Sequence, residues 1–168
     1  MIVIDAGNTN IVIGFYTKNK LNKIIRLNTE KKINIAKKEI NKFFKSNKKL
    51  INNLKDRICI LSSVVPSLNS IFRKIFQKNK FKFYVINPKT IPFRDSINYN
   101  LSQIGSDRIA NYAYAHSRKI KNCIIVDFGT ATTFDVIKNN QYSGGLIFPG
   151  INLSMDTLLK NAELIKTS

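Results

Sequence analysis

The feature that most constrains this chain is an acid placed at the end of an apolar strand, and placed there twice. "VIDAGNTN", residues 3–10, runs from an apolar stretch into Asp5, then Gly7, then the polar Asn8, Thr9 and Asn10. Far downstream, "VDFGTAT", Val126 to Thr132, nearly repeats it with Asp127, Gly129, Thr130 and Thr132. Each corner stands between two strand-like runs. A plain hairpin would explain either one, since Asp, Gly and Asn favour turns. The pair argues for more. A residue without Cβ lets backbone N–H groups and hydroxyls approach a polyphosphate, and the neighbouring carboxylate can hold a hydrated cation against it. Two such corners, one from each half, are expected to face each other across a cleft and grip one phosphate chain. Their carboxylates would then need a cation, because like charges near 4 Å repel by roughly 1–4 kcal/mol between bulk water and a near-surface environment.

The organisation around the corners reads as α/β. "MIVID", "NIVIGFY" and "LNKIIRLN" follow one another closely and predict a three-stranded antiparallel meander. Lys31 to Lys49 carries Ile33, Ala36, Ile40, Phe43 and Phe44 near helical spacing, with its lysines on the solvated face. "DRICILSSV" predicts a buried strand, "PSLNSIFRKIFQKN" a helix opened by Pro66, and "FKFYVIN" a further strand. Ser106 is placed to cap a helix through "DRIANYAYAHSRK". Helices between parallel strands imply a layered sheet. From Cys123 the opening pattern returns as "CIIVDFGT", "TTFDVIKN" and "YSGGLIFPG", followed by helical "NLSMDTLLKNAELI". The expected division is a complete α/β domain over 1–121 and an incomplete second copy over 122–168.

Composition bounds the function classes. The 168 residues are 43% hydrophobic, enough for a core and against global disorder. Twenty-eight basic against ten acidic residues give a formal charge of +18, which could mark a polyanion partner. It could equally reflect coding drift, since Lys, Ile and Asn share A/T-rich codons. The lysines are spread from Lys18 to Lys89 rather than gathered in a stripe, and no nucleic-acid-binding signature accompanies them, so the second reading is preferred. Cys59 and Cys123 lie in apolar runs without paired spacing and are expected as buried free thiols. "MIVIDAG" has no basic leader and no run approaches membrane-spanning length, so a cytoplasmic protein is expected.

"DAGNTN", "GSDRIAN", "DFGTATTFDVI" and "GGLIFPG", in this order and at these separations, resemble the type III pantothenate kinases of the actin, sugar kinase and Hsp70 superfamily. The resemblance implies a ribonuclease H-like (actin-like ATPase) α/β fold with one complete N-terminal half and a shortened second half. It also implies ATP-dependent phosphorylation of pantothenate, the first step toward coenzyme A. On the family pattern Asp5, Ala6, Gly7, Asn8, Thr9, Asn10, Ile11 and Val12 would bind the ATP phosphates and associated Mg²⁺, with Thr130 contacting them from the other side. Asp127 would ligate a monovalent cation, K⁺ or ammonium. Asp107 would accept the substrate hydroxyl proton, and Tyr99, Gly105, Ser106 and Arg108 would contact pantothenate. A homodimer is expected.

Read as residues alone, several of these keep two meanings. Asp107 could simply complement the dipole of its helix, and Arg108 could bind a carboxylate or cover the surface. Asp135 is expected to be structural, pairing with a lysine on an exposed face. Gly144, Gly145 and Gly150 fit tight turns, and Gly150 could start a helix near a ligand. His116 is expected to be packed or superficial rather than catalytic. Two details depart from the family pattern: Ser106 stands where Ala is common, and "YNLSQIG" lacks a proline between Tyr99 and Gly105. Family members continue past the helix holding Leu158 and Leu159, so a C-terminally shortened kinase, a noncatalytic remnant or a basic nucleic-acid binder are the readings to be weighed.

Overall fold

The computed structural model describes residues 1–18, 20–30 and 32–161. They fall into two compact units, one of residues 1–91 with Gly105–Asp107, and one of Pro92–Ile104 with the described residues from Arg108 onward. The division runs inside one helix, between Asp107 and Arg108.

The first unit is built on strands β1 (Ile2–Ala6), β2 (Asn10–Thr17) and β3 (Lys20–Asn28), the expected meander. Helix α1 (Ile33–Ser46) follows, then the short α2 (Lys48–Asn52), β4 (Ile58–Ser63), α3 (Pro66–Lys78) and β5 (Lys82–Val85). The sheet order is β3-β2-β1-β4-β5, with β1 antiparallel to β2 and parallel to β4. The single helix read over Lys31 to Lys49 is broken at Asn47, whose backbone N–H and side-chain Nδ2 both bond the Phe43 carbonyl and end α1; Lys31 itself lies outside the described residues. Pro66 opens α3 as expected, because the first helical turn needs no donor from it.

Period-two alternation turns Ile2, Ile4 and Ala6 to one face of β1, where they are wholly buried with Ile13 and Phe15 of β2. Helices α1 and α3 contribute Ile40, Phe43, Phe44, Phe72 and Phe76 to the same cluster. Phe76 sits among four other rings, with centroids 4.7 Å from Phe44, 5.3 Å from Phe81, 5.7 Å from Phe83 and 6.3 Å from Phe72. The α1 residues Lys37, Lys38, Lys42 and Lys45 are exposed, as a solvated face requires.

The second unit carries α4 (Ser106–Ser117) from Arg108 onward, then β6 (Cys123–Phe128), β7 (Ala131–Lys138), β8 (Gln141–Pro149) and α5 (Ile151–Asn161). Residues 162–165 of the expected last helix lie outside the described residues. The three strands form an antiparallel meander in the order β6-β7-β8. Asn139 and Asn140, both at positive φ, make the tight β7–β8 connection, a conformation Asn tolerates better than most residues. The Tyr112 hydroxyl ties the preceding segment to α4, lying 2.7 Å from Ser96 Oγ and 2.9 Å from the Asn140 carbonyl oxygen.

The two sheets differ in what covers them. Ile124, Val126 and Phe128 of β6 occupy the positions of Ile2, Ile4 and Ala6 relative to the following corner, yet they are exposed, Phe128 by 68%. Val136, Leu146 and Phe148 are exposed as well, and the strand registers Ile124 with Val136 and Val126 with Phe134, which in turn pairs with Leu146. This makes a contiguous apolar face rather than scattered single residues.

Two measurements check this packing. Phe76→Ala is expected to cost about 3–5 kcal/mol, lowering the melting temperature by roughly 6–20 °C for a chain of this size. Burial holds the Cys59 thiol protonated by pushing its pKa well above the usual range, while Cys123 is half-buried. Iodoacetamide at pH 8 should therefore label Cys123 in the native protein and reach Cys59 only in denaturant, read by mass spectrometry.

Candidate active site

In the first unit the β1–β2 corner is closed by its own backbone. Gly7 N–H donates to the Asn10 carbonyl at 2.9 Å, and Thr29 Oγ1 donates to the Gly7 carbonyl at 2.7 Å. Asn8, Thr9 and Asn10 are exposed, as is Asp5 one residue before β1 ends, whereas Ala6 and Ile11 are buried and Val12 is half-buried. The expected phosphate segment thus divides into a polar rim and an apolar root.

Gly105, Ser106 and Asp107 belong to this same unit although they lie far along the chain. Ser106 is itself the first residue of α4, not the residue before it, and its hydroxyl is spent on β4: it accepts from Ser63 N–H at 2.7 Å and donates to the Ser63 carbonyl at 2.9 Å. Ser63 is paired with Ala6, and Val64 N–H donates to the Ala6 carbonyl at 3.1 Å. Three strand ends and a helix start therefore meet where β1 turns. Asp107 stands half-buried in the first turn of α4, one residue after the serine that bonds the end of β4. At Gly105 an added Cβ would strike Asp107 Oδ1, so a bare backbone there leaves the carboxylate its position.

In the second unit the β6–β7 corner repeats the construction. Gly129 N–H donates to the Ala131 carbonyl at 3.0 Å, and Asp127, two residues earlier as Asp5 is to Gly7, is exposed and accepts from Asn111 Nδ2 at 3.0 Å. The corner is backed by Gly150, whose N–H donates to the Thr130 carbonyl at 3.0 Å. A Cβ there would meet the Gly129 and Thr130 backbones, so Gly150 lets the start of α5 approach the corner. Thr130 is exposed.

Arg108 does not cover the surface. Its side chain is 7% exposed and its Nε donates to Asp135 Oδ1 at 2.6 Å. Asp135, expected on an exposed face with a lysine, is instead fully buried and paired with this arginine. The reason is its parity in β7: it shares a face with buried Ile137, and a charge turned inward needs a fixed cation. Tyr142, also fully buried, donates its hydroxyl to the same Oδ1 at 2.7 Å. Burial, and then that hydrogen bond, push the Tyr142 phenol well above its ordinary pKa, so it stays a donor. The guanidinium lies over Tyr142, with Cζ 6.0 Å from the ring centroid. Gly145 is a matter of space: a Cβ would collide with the Phe134 carbonyl oxygen and the Arg108 Nη2. Tyr99, 41% exposed, stands edge-on to Tyr142 at 6.2 Å. Two of the expected substrate contacts, Tyr99 and Arg108, are thereby assembled on one buried tyrosine. His116 packs, its ring 5.2 Å from Phe93 and its Nδ1 3.2 Å from the Tyr112 hydroxyl.

Comparison with known proteins adds the family. The model of the type III pantothenate kinase family matches residues 1–168. The chain belongs to that family. A type III pantothenate kinase of Geotalea daltonii is 38% identical over 168 residues, 97% of this chain and 64% of the relative. One of Pelagibacter ubique is 40% identical over 170 residues, covering 98% of the chain and 65% of the relative. The chain thus spans just under two thirds of the length of these family members. A Baf family protein of Campylobacter jejuni, 23% identical, superposes with a TM-score of 0.59 over 99% of this chain and 63% of its own. At that identity the likeness concerns the fold, which is the actin-like ATPase, ribonuclease H-like architecture seen in the strand order of the first unit.

The Arg108 slot can be checked by substitution. Gly145→Ala is expected to destabilise the protein by about 1–3 kcal/mol through overpacking. Gly129→Ala, where the added carbon would make an ordinary 3.5 Å contact with the Ala131 carbonyl oxygen, should stay within about 0.5 kcal/mol. Urea unfolding of the two variants compares them directly.

Proposed function

We propose that the chain transfers the γ-phosphoryl group of ATP to the hydroxyl of pantothenate, with Asp107 as the proton acceptor. The observation that supports this reading best is the double hydrogen bond of Ser106 to Ser63, the strand residue paired with Ala6, so that the start of α4 and the β1–β2 corner belong to one compact unit. Phosphoryl transfer passes through a loose transition state, so positioning and charge compensation do most of the work. Asp107 lies in the first turn of α4, and a loose transition state asks for little proton removal before the leaving group departs.

In this reading the exposed rim of Asn8, Thr9 and Asn10, with the Gly7 backbone, takes the phosphates, and Thr130 supplies a further hydroxyl. Asp5 would hold Mg²⁺ with its water shell, and Asp127 the monovalent cation, K⁺ or ammonium. Both carboxylates are exposed, and Mg²⁺ is commonly held through one or two carboxylates plus substrate phosphates while keeping several of its waters. Bound there, the cations would neutralise charge on the phosphate oxygens. Arg108 would take the pantothenate carboxylate, Tyr99 would contact the same substrate, and the protein would act as a homodimer in the cytoplasm.

A second reading, a noncatalytic relative that binds nucleotide or a partner, is favoured by the exposed apolar face of the β6–β8 sheet, a kind of surface that partners cover. The assay that separates the two uses purified protein with ATP, Mg²⁺, K⁺ and pantothenate. Phosphopantothenate should form, and Asp107→Asn should lower kcat by about 10²–10⁴-fold while leaving the ATP-dependent rise in melting temperature intact. A rise in melting temperature with ATP but no product would favour the second reading.

A further inference from the structure

We infer that the outward side of helices α1, α2 and α3 is a binding surface for nucleic acid, which it holds by the phosphodiester backbone without regard to sequence. Along the chain the lysines look spread, yet the span from Lys18 to Lys89 lies wholly in the first unit. Residues 1–91 with Gly105–Asp107 hold twenty Lys and Arg against five Asp and Glu, while the rest of the chain holds eight against five. Drift toward A/T-rich codons acts on both units alike and leaves that difference unexplained.

The fold concentrates the excess further. Helices α1 and α3 lie side by side, with the Phe44 and Phe76 ring centroids 4.7 Å apart, and both turn their apolar residues into the same core. Their opposite sides therefore form one outward layer. Lys38, Lys42 and Lys45, spaced four and three apart, make a row along α1, and α3 adds Arg73, Lys74 and Lys78. Together the three helices present nine exposed Lys and Arg against a single acid, the half-buried Glu39. Among the described residues the ion pairs are Arg94–Asp95 and Arg108–Asp135, so no carboxylate neutralises this layer. Like charges three and four apart on a helix repel one another. A polyanion relieves that repulsion, and the counterions it sheds drive the association.

Nucleic acid suits the layer better than an anionic membrane does. A helix lying in a membrane surface sinks its apolar side into the lipid, whereas here Ile40, Phe43, Phe44, Phe72 and Phe76 are committed to the core, and Ile33 and Ile35 at the start of α1 are the large apolar side chains left exposed on these helices. What remains is charge without an inserting side, as backbone binding requires. None of these residues belongs to the candidate active site.

The test is fluorescence anisotropy of a labelled single-stranded RNA and a DNA duplex, each of mixed sequence and about 20 nucleotides long, titrated with the full chain. Neutralising four phosphates predicts a roughly hundredfold loss of duplex affinity between about 50 and 200 mM KCl. At the lower salt Lys38→Gln/Lys42→Gln/Lys45→Gln is expected to weaken binding by about tenfold or more. Lys121→Gln/Lys138→Gln/Lys160→Gln, which removes the same charge from the second unit, is expected to weaken it by less than about threefold. Equal losses in the two variants overturn the inference, because they mark attraction to net charge alone. No binding at the lower salt, or binding indifferent to salt, overturns it as well. Tighter binding to phosphatidylserine-containing vesicles than to either nucleic acid overturns it in favour of a membrane surface. If the α1 variant does not fold, Lys74→Gln/Lys78→Gln decides, with an expected loss of about threefold or more; a smaller loss refutes the inference.

Discussion

The hydroxyl of Ser106 bonds both backbone groups of Ser63, and in this chain that clamp joins the start of α4 to the end of β4. A helix start and a strand end, separated by more than forty residues, are locked together by one side chain that both donates and accepts. The strand end is in turn paired with β1, whose corner carries Asp5 and Gly7. Alanine at position 106 would keep the helix and lose the clamp. Consecutive residues then diverge: Asp107 stays with the first unit, and Arg108 enters the second.

The duplicated corner shows how one local solution serves in two settings. Both copies place an acid two residues before a glycine whose N–H returns to a carbonyl just beyond the turn. Their surroundings diverge. Behind the first corner, α1 and α3 bury Ile2, Ile4 and Ala6 among phenylalanine rings. Behind the second, Ile124, Val126 and Phe128 remain open to solvent. The stability of the described chain is therefore concentrated in the first unit, where desolvated apolar area is largest. The second unit is held more by specific polar contacts: the Arg108–Asp135–Tyr142 group, and the Tyr112 hydroxyl with its partners.

Legibility from sequence followed the range of the interactions. Strands, helices and both corners were readable because their signals are local: period two in "MIVID", Pro66 at a helix start, glycine after an acid. The helix break at Asn47 was missed because a side-chain bond back to Phe43 outweighed an apolar spacing that runs on through Ile51. Asp135 was misplaced for a different reason. An acid flanked by Phe134 and Val136, sharing its face with Ile137, carried a warning that it points inward. Nothing local named its partner.

By itself the sequence determined the α/β character, the order of the elements, the two Asp-x-Gly corners and the family to which they belong. Only the tertiary structure decided that Ser106 serves Ser63 instead of its own helix, that Arg108 is buried, and that Tyr99 and Arg108 share Tyr142. The physical reason is separation along the chain. A turn or an amphipathic helix is specified by neighbours a few residues apart, whereas a buried charge pair spanning 27 residues exists only once strand register and helix packing have brought its partners within hydrogen-bonding distance.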